Sequence, residues 1–319
     1  MPQPTSSVTF SRREKARLRL ASQGLTIRRW ESAEDVARAF GVMQGQDLHS
    51  VRRSLSLRAK DHSDAENIVR GYPMRNTLFA ASIKDIGWIT ELCAKGRKGD
   101  TELRAEVNKL IDRPLSRAEL KDRAAAALSG VPFWHVVRVA MESGQAVYSG
   151  ADQLITPVDL PGLEETFNGD KVAATAELMT RYFRTHGPAT LRDFAWWAKL
   201  PQRLIRPAAE NLAPDIMRCG EVSQDLVSAE IVEMAEARKK QSVLLLGAFD
   251  EYILGYQDRL FAMTSEVHEV LVPGNRGVFR RAIVVDGQVR GTWNKQAIED
   301  LGMPGYAMRK VQKLWRDAH

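Results

Sequence analysis

"KVAATAELMTRYFRTHGPATLRDFAWWAKLPQRLIRPAAENL", residues 171–212, reads as three helices in close succession. The first stops at Thr185-His186-Gly187-Pro188, where glycine and proline punctuate the chain. Thr190 opens the second, with Asp193 three positions on, in the arrangement of a capping box. Ala195, Trp196 and Leu200 supply its apolar face, and Leu200-Pro201 makes a short turn. The third helix, of about ten residues, carries Leu204, Ile205, Ala208, Ala209 and Leu212 at helical spacing. Helix, short turn and helix with a small residue facing inward is the helix-turn-helix pattern. The chain on to about residue 230 would form its wing.

Working outward, two more segments read the same way. "RPLSRAELKDRAAAALSG" (113–130) opens with Ser116 and Glu119, a second capping box. "VPFWHVVRVAMESG" follows as a helix, with Pro132 near its start and Gly144 just after its end. "QAVYSGADQLITP" looks like a two-stranded wing around Gly150 and Asp152. Nearer the N-terminus, a basic helix is stopped by Gly24, a second starts at a Ser32/Asp35 cap, and a third carries Arg52 and Arg53. A further helix is expected next, then a strand in "MRNTLFAAS" (74–82) and a closing helix in "IKDIGWITELCA". The three units share architecture and almost no residues, so they are not a solenoid repeat. The C-terminal part changes character. "SVLLLGAFDEYILGY" begins as a buried strand and turns at Phe249-Asp250-Glu251-Tyr252. Asp286-Gly287 sits between two apolar strands as a hairpin turn, and a helix ends the chain. The expected fold is mainly α with β wings, an α+β class. Its divisions are winged-helix units over 1–97, 98–166 and 167–238, and a β-rich domain over 239–319.

The 319 residues suffice for several small cores, and 44% hydrophobic with 27% charged residues is ordinary for a soluble globular chain. No apolar run approaches the roughly 18 residues of a membrane span. The opening stretch has no apolar segment of the secretory kind. Two cysteines and six scattered histidines offer neither a disulfide framework nor metal-ligand spacing. No metal and no cofactor are expected, and the reducing cytoplasm is the expected compartment. The net charge of +6 is uneven. Residues 1–60 carry twelve Lys/Arg against five Asp/Glu, and residues 271–319 carry nine against four. Two basic ends on a mildly acidic middle suggest a surface, built from distant parts of the chain, that attracts phosphate backbone.

"GVMQGQDLHS" (41–50) is the stretch that plain core packing does not explain. Gln44 and Gln46 flank Gly45 at the end of an apolar run, and Asp47, His49, Arg52 and Arg53 follow. By itself this could be a polar loop end between helices. Together with "MRNTLF", "GPATLRDFAWWAKLP", "LLGAFDEYILGYQDR" and "VVDGQVRGTW", in this order and spacing, it resembles a bacterial winged-helix DNA-binding family. That family contains the AlkZ and YcaQ type DNA glycosylases, and the resemblance runs over about residues 12 to 296. It implies three tandem winged helices in a C-shape closed by a β-rich domain. It also implies hydrolysis of the N-glycosidic bond of alkylated purines, including bulky adducts and, in some members, interstrand crosslinks. The family signature of Gln, a small or apolar residue and Gln falls on Gln44-Gly45-Gln46, the form typical of the AlkZ-like branch. Two departures stand out. The middle residue is usually bulkier, which predicts a less rigid loop here. Phe79 stands where many relatives carry a histidine in the strand that follows.

Two glutamines suit this chemistry for a specific reason. An amide is neither a proton-transfer base nor a nucleophile at pH 7. An N7-alkylguanine or N3-alkyladenine, however, already carries positive charge and leaves neutral, so no general acid is needed. What remains is to stabilise an oxocarbenium-like sugar and to hold a water on its far face. An amide carbonyl does both through its dipole and its lone pairs. Gln44 and Gln46 are therefore the candidate catalytic pair. Asp47 is a rival, because a carboxylate suits a cation better; an extended backbone would turn it away from the face that 44 and 46 share. With no lysine nearby to form a Schiff base, the expected enzyme is monofunctional.

The expected partner is double-stranded DNA carrying an alkylated purine, bound by a monomer in the cytoplasm of a bacterium, at the nucleoid. Arg52 and Arg53 are the first candidates for phosphate contacts, then Arg75, then Arg276, Arg280 and Arg281 from the other arm. Each could equally be solvated surface. Trp196 and Trp197 read as core before a stacking platform. Asp250 and Glu251 resemble an acid pair, or groups that cap a turn or pair with arginine. His49 and His186 sit at helix ends with no visible partner. The competing function is a DNA-binding protein without catalysis, a regulator or damage-recognition protein. The Gln-x-Gln motif separates the two, since a pure binder has no use for it.

Overall fold

The structure, a computed structural model, describes residues 9–61, 66–93, 101–219, 224–237 and 241–318. The first region holds α1 (Arg12–Ser22), α2 (Ala33–Phe40), β1 (Met43–Gln44), α3 (Leu48–Arg58), β2 (Ile68–Met74), β3 (Thr77–Ser82) and α4 (Ile83–Cys93). The second holds α5 (Thr101–Lys109), α6 (Arg117–Ala127), α7 (Phe133–Glu142) and the hairpin β4 (Ala146–Ser149) and β5 (Leu154–Pro157). The third holds α8 (Leu163–Phe167), α9 (Lys171–His186), β6 (Ala189–Thr190), α10 (Leu191–Ala198), α11 (Gln202–Ala208), β7 (Ile216–Cys219), β8 (Asp225–Ser228) and α12 (Ala229–Ala237). The last holds β9 (Val243–Leu245), α13 (Glu251–Leu254), α14 (Ser265–Leu271), β10 (Arg281–Val285), β11 (Gln288–Trp293), β12 (Ile298–Asp300) and α15 (Gly305–Asp317).

Local signals set the helix starts. Ser32, Ser116 and Thr190 each accept a hydrogen bond from the backbone of the third helical residue, whose carboxylate bonds back, so all three capping boxes form. Each cap contributes about 1 kcal/mol. Asp286 and Gly287 have φ of 49° and 81°, as a two-residue turn between β10 and β11 requires. Three expectations are corrected. The segment before Met74 is not a helix from Ile68 onward but strand β2, with burial alternating along it. Residues 62–65 of that segment lie outside the described set. Arg75 and Asn76, expected within a strand, instead form the β2–β3 turn with φ of 58° and 53°. The third helix, α11, ends at Ala208, so Leu212 packs from the loop beyond it.

Three antiparallel sheets result. The largest has the order β1-β3-β2-β4-β5, so the second region's wing extends the first region's sheet, with Arg70 opposite Tyr148. The order β12-β11-β10-β9 forms the C-terminal sheet, and β6-β8-β7 the third wing. Helix α9 lies at the centre; Leu178, Met179, Tyr182 and Phe183 are fully buried along it. One apolar cluster runs from Leu20 in α1 through Phe79 and Trp88, across α9 to Phe194 and Trp197, and on to Tyr252 and Val284. Each such buried side chain contributes roughly 1.5–3 kcal/mol. The second region has its own core around Val107, Leu120, Val136, Tyr148 and Ile155. Among the described residues no helix is long and apolar enough to cross a membrane.

Candidate active site

β1 is two residues long and lies against β3, with Met43 opposite Ala80 and Gln44 opposite Phe79. Gly45 continues that approach. Its N–H donates to the Leu78 carbonyl at 2.9 Å, and its own carbonyl accepts from Arg70 Nη1 at 2.7 Å. A Cβ on Gly45 would stand 2.6 Å from the Phe79 carbonyl carbon, which no side chain tolerates. The glycine therefore admits a closer backbone approach and does not loosen the loop: Gly45 is held from both sides. Phe79, in the place of the family's histidine, is fully buried and presents nothing to solvent.

The two glutamines share a face. Gln46 Nε2 donates to Gln44 Oε1 at 3.0 Å. Gln44 Nε2 and Gln46 Oε1 are then buried without a protein partner. Turning both amides over keeps their mutual bond and still leaves one carbonyl and one NH2 group open. Asp47 is engaged elsewhere: it is the N-cap of α3, accepting from Ser50 N at 3.1 Å and Ser50 Oγ at 2.5 Å.

Behind the motif, the Phe-Asp-Glu-Tyr segment does two structural jobs. Glu251 Oε1 accepts the backbone N–H of Gln44 at 2.8 Å. Its other oxygen faces Trp197 Nε1 at 3.3 Å and His186 Nε2 at 3.5 Å. Asp250 accepts from Arg58 at 2.7 and 3.0 Å and from Ser54 Oγ at 2.9 Å, and it caps α13 through Tyr252 N. Burial pushes the Asp250 carboxyl up; the Arg58 guanidinium and the hydrogen bonds more than offset that and hold it below the usual range. His186 has partners after all. It is fully buried, stacked on Tyr182 at 4.4 Å, and burial pushes its pKa below the ordinary value. His49 is exposed.

The arginine candidates separate. Arg52 and Arg276 are exposed. Arg53 Nε donates to the Leu245 carbonyl at 2.6 Å, tying α3 to β9. Arg53 and Arg281 both lie over the Trp293 ring, at 4.8 and 5.0 Å, so residues far apart in sequence do meet. Arg280 pairs with Glu299 at 3.5 Å. Arg75 lies over Phe79 and over Trp196, at 5.0 and 5.7 Å. Trp197 is core, whereas Trp196 is half-buried with three cations around it. Sequence reasoning missed Arg70, Arg58, Lys199 and Arg259 altogether, and it missed that Glu251 supports the Gln motif.

A sequence model of the AlkZ-like DNA glycosylases matches residues 37–302. The chain belongs to the AlkZ-like DNA glycosylase family. The match opens inside α2 and closes just beyond β12, so it takes in the Gln motif, Arg70, Glu251 and the C-terminal sheet. Membership makes the chain a DNA glycosylase and sets aside the reading as a binder without catalysis. Among solved structures it is similar to the DNA glycosylase AlkZ of Streptomyces sahachiroi, with a TM-score of 0.75 and 19% identity. That alignment covers 98% of this chain and 97% of the other, so the likeness in fold takes in nearly all of both. A search of curated proteins returned no match.

Proposed function

We propose that this glycosylase hydrolyses the N-glycosidic bond of cationic alkylated purines of the N7-alkylguanine type in double-stranded DNA, extending to bulky adducts and interstrand crosslinks. The supporting observation is the amide couple. Gln44 and Gln46 are fixed by each other, by Glu251 and by the neighbouring strand, and they keep one carbonyl and one NH2 group open in a dry position.

The open carbonyl accepts a hydrogen bond from the attacking water and turns its negative end toward the developing oxocarbenium ion. The bond between C1′ and the purine nitrogen breaks, and its electron pair returns to the base, which leaves neutral. Water oxygen bonds to C1′ and its proton passes to solvent, leaving an abasic site. The amides are already held relative to each other, and such a preorganised dipole supplies roughly 3–4 kcal/mol. Asp47 stays in its capping role. The reaction is monofunctional, and a single chain carries it out in the bacterial cytoplasm, at the nucleoid. Arg52, Arg53, Arg75, Arg276, Arg280 and Arg281 contribute phosphate contacts on both sides of the motif.

The test is base release from a duplex oligonucleotide carrying N7-methylguanine, read as heat- or alkali-labile sites, with DNA binding followed in parallel. Gln44→Ala and Gln46→Ala should each lower release on the order of 100-fold while binding is kept. Undiminished release by both variants would overturn the assignment.

A further inference from the structure

Beside the Gln motif, rings and guanidinium groups alternate in a row. Arg75 lies over Phe79 at 5.0 Å and over Trp196 at 5.7 Å. Arg259 lies over the same Trp196 at 5.4 Å and over Phe279 at 5.0 Å. Phe279 meets Phe249 at 5.7 Å, and Lys199 adds a third cation over Trp196 at 5.4 Å. The row starts at the residue paired with Gln44 and ends next to Asp250. It draws on the β2–β3 turn and β3, the end of α10, the loops on either side of α13 and the loop before β10.

Among the described residues no carboxylate pairs directly with its two guanidinium groups, those of Arg75 and Arg259. The Nε of each is buried without a partner. Burial lowers both pKa values; for Arg259 repulsion from Arg75 adds to that, while Arg75 is partly compensated by the field of Glu251. His268 is lowered too, first by burial and then by Arg259. Ring faces attract cations, yet they cancel no charge. Gathering two guanidiniums and an ammonium around one indole is costly unless an anion comes to them. Arg75 and Lys199 also line a cleft of about 260 Å³, ample for a phosphate group. The one carboxylate lining it, Glu142, is paired with Arg138 at 3.1 Å.

We propose that Arg75, Lys199 and Arg259 bind one backbone phosphate of the DNA strand beside the base being removed, with Trp196 as the floor that sets the guanidinium planes. The planar fork of arginine matches phosphate oxygens in pairs. Trp196 is thus part of a binding site, and the third region takes hold of DNA next to a reaction centre built by the first. The inference rests on the reading that the chain acts on duplex DNA.

The experiment measures binding of undamaged duplex against salt concentration, so it does not depend on base release. Arg259→Gln should flatten the slope of log affinity against log salt by about 0.9, the value of one phosphate contact. Arg259→Lys should keep the slope and lose affinity. A duplex scanned with single neutral methylphosphonate linkages should show one position that weakens wild type and leaves Arg259→Gln unaffected. If Arg259→Gln fails to fold by circular dichroism, Lys199→Gln, at an exposed position, takes its place with the same expected slope change. An unchanged slope with no sensitive linkage overturns the proposal. So does an unchanged slope accompanied by inorganic phosphate raising the Tm of wild type alone at constant ionic strength, which would assign the site to a small free oxyanion.

Discussion

Glu251 holds the backbone N–H of Gln44 at 2.8 Å from 207 positions further along the chain. Removing its carboxylate with Glu251→Ala strips an acceptor from both Gln44 and Trp197. Each orphaned donor costs on the order of 1–3 kcal/mol. Glu251→Gln keeps one acceptor oxygen and should recover much of that loss. Urea unfolding and base release measured on both variants check this; equal stability of the two would remove Glu251 from its supporting role.

Gly45→Ala should destabilise the chain by about 1–3 kcal/mol, the usual cost of forcing an atom into filled space. Its Cβ would meet the Phe79 backbone, which cannot move without disturbing β3. Release of N7-methylguanine should fall further than DNA affinity, because the displaced part is the Gln couple. Thermal unfolding and single-turnover release give the two readings.

Arg58 and Asp250 are both fully buried. Arg58→Met leaves the Asp250 carboxylate without its cation and should cost about 3–5 kcal/mol. Adding Asp250→Leu should recover part of that, so the double variant is more stable than the sum of the single losses. A four-member unfolding cycle decides it; strict additivity would mean that the two side chains act independently.

His186 sets an acid limit. Its folded pKa lies below the roughly 6.5 of an unperturbed imidazole, so between those values the unfolded chain binds more protons than the folded one. Stability is therefore complete at neutral pH, falls as pH drops through about 6.5, and levels off below the folded value. His268 is shifted in the same direction and adds to the trend. The Tm should be lower at pH 5 than at pH 7.5, with a smaller difference in His186→Gln. An identical pH dependence in that variant would clear His186.

Where a feature is written in neighbouring residues, it was legible. Ser32, Ser116 and Thr190 announce their helices because a cap is a four-residue event, and Asp286-Gly287 announces its hairpin because such residues take two positive φ values in a row at the least cost. The Gln-x-Gln spacing placed both amides on one face. Strand β2 was missed because Arg70, Tyr72 and Pro73 interrupt its apolar alternation, and tertiary pairing with β3 and β4 decides its conformation. Asp250 and Glu251 looked like an acid pair for want of their partners, Arg58 and Gln44, which no local pattern points to. Gly45 looked permissive because the backbone that it touches arrives from residue 79.

The reach from Gln44 to Glu251 also governs when the Gln segment is set in place. A ribosome adding about 5–20 residues per second needs roughly 10–40 s to travel between them. For all that time the emerging chain displays its glutamines without the carboxylate that sets them. On the proposed assignment of the Gln couple, a chain ended before Glu251 should therefore release no base, which base-release assays on truncated chains would check.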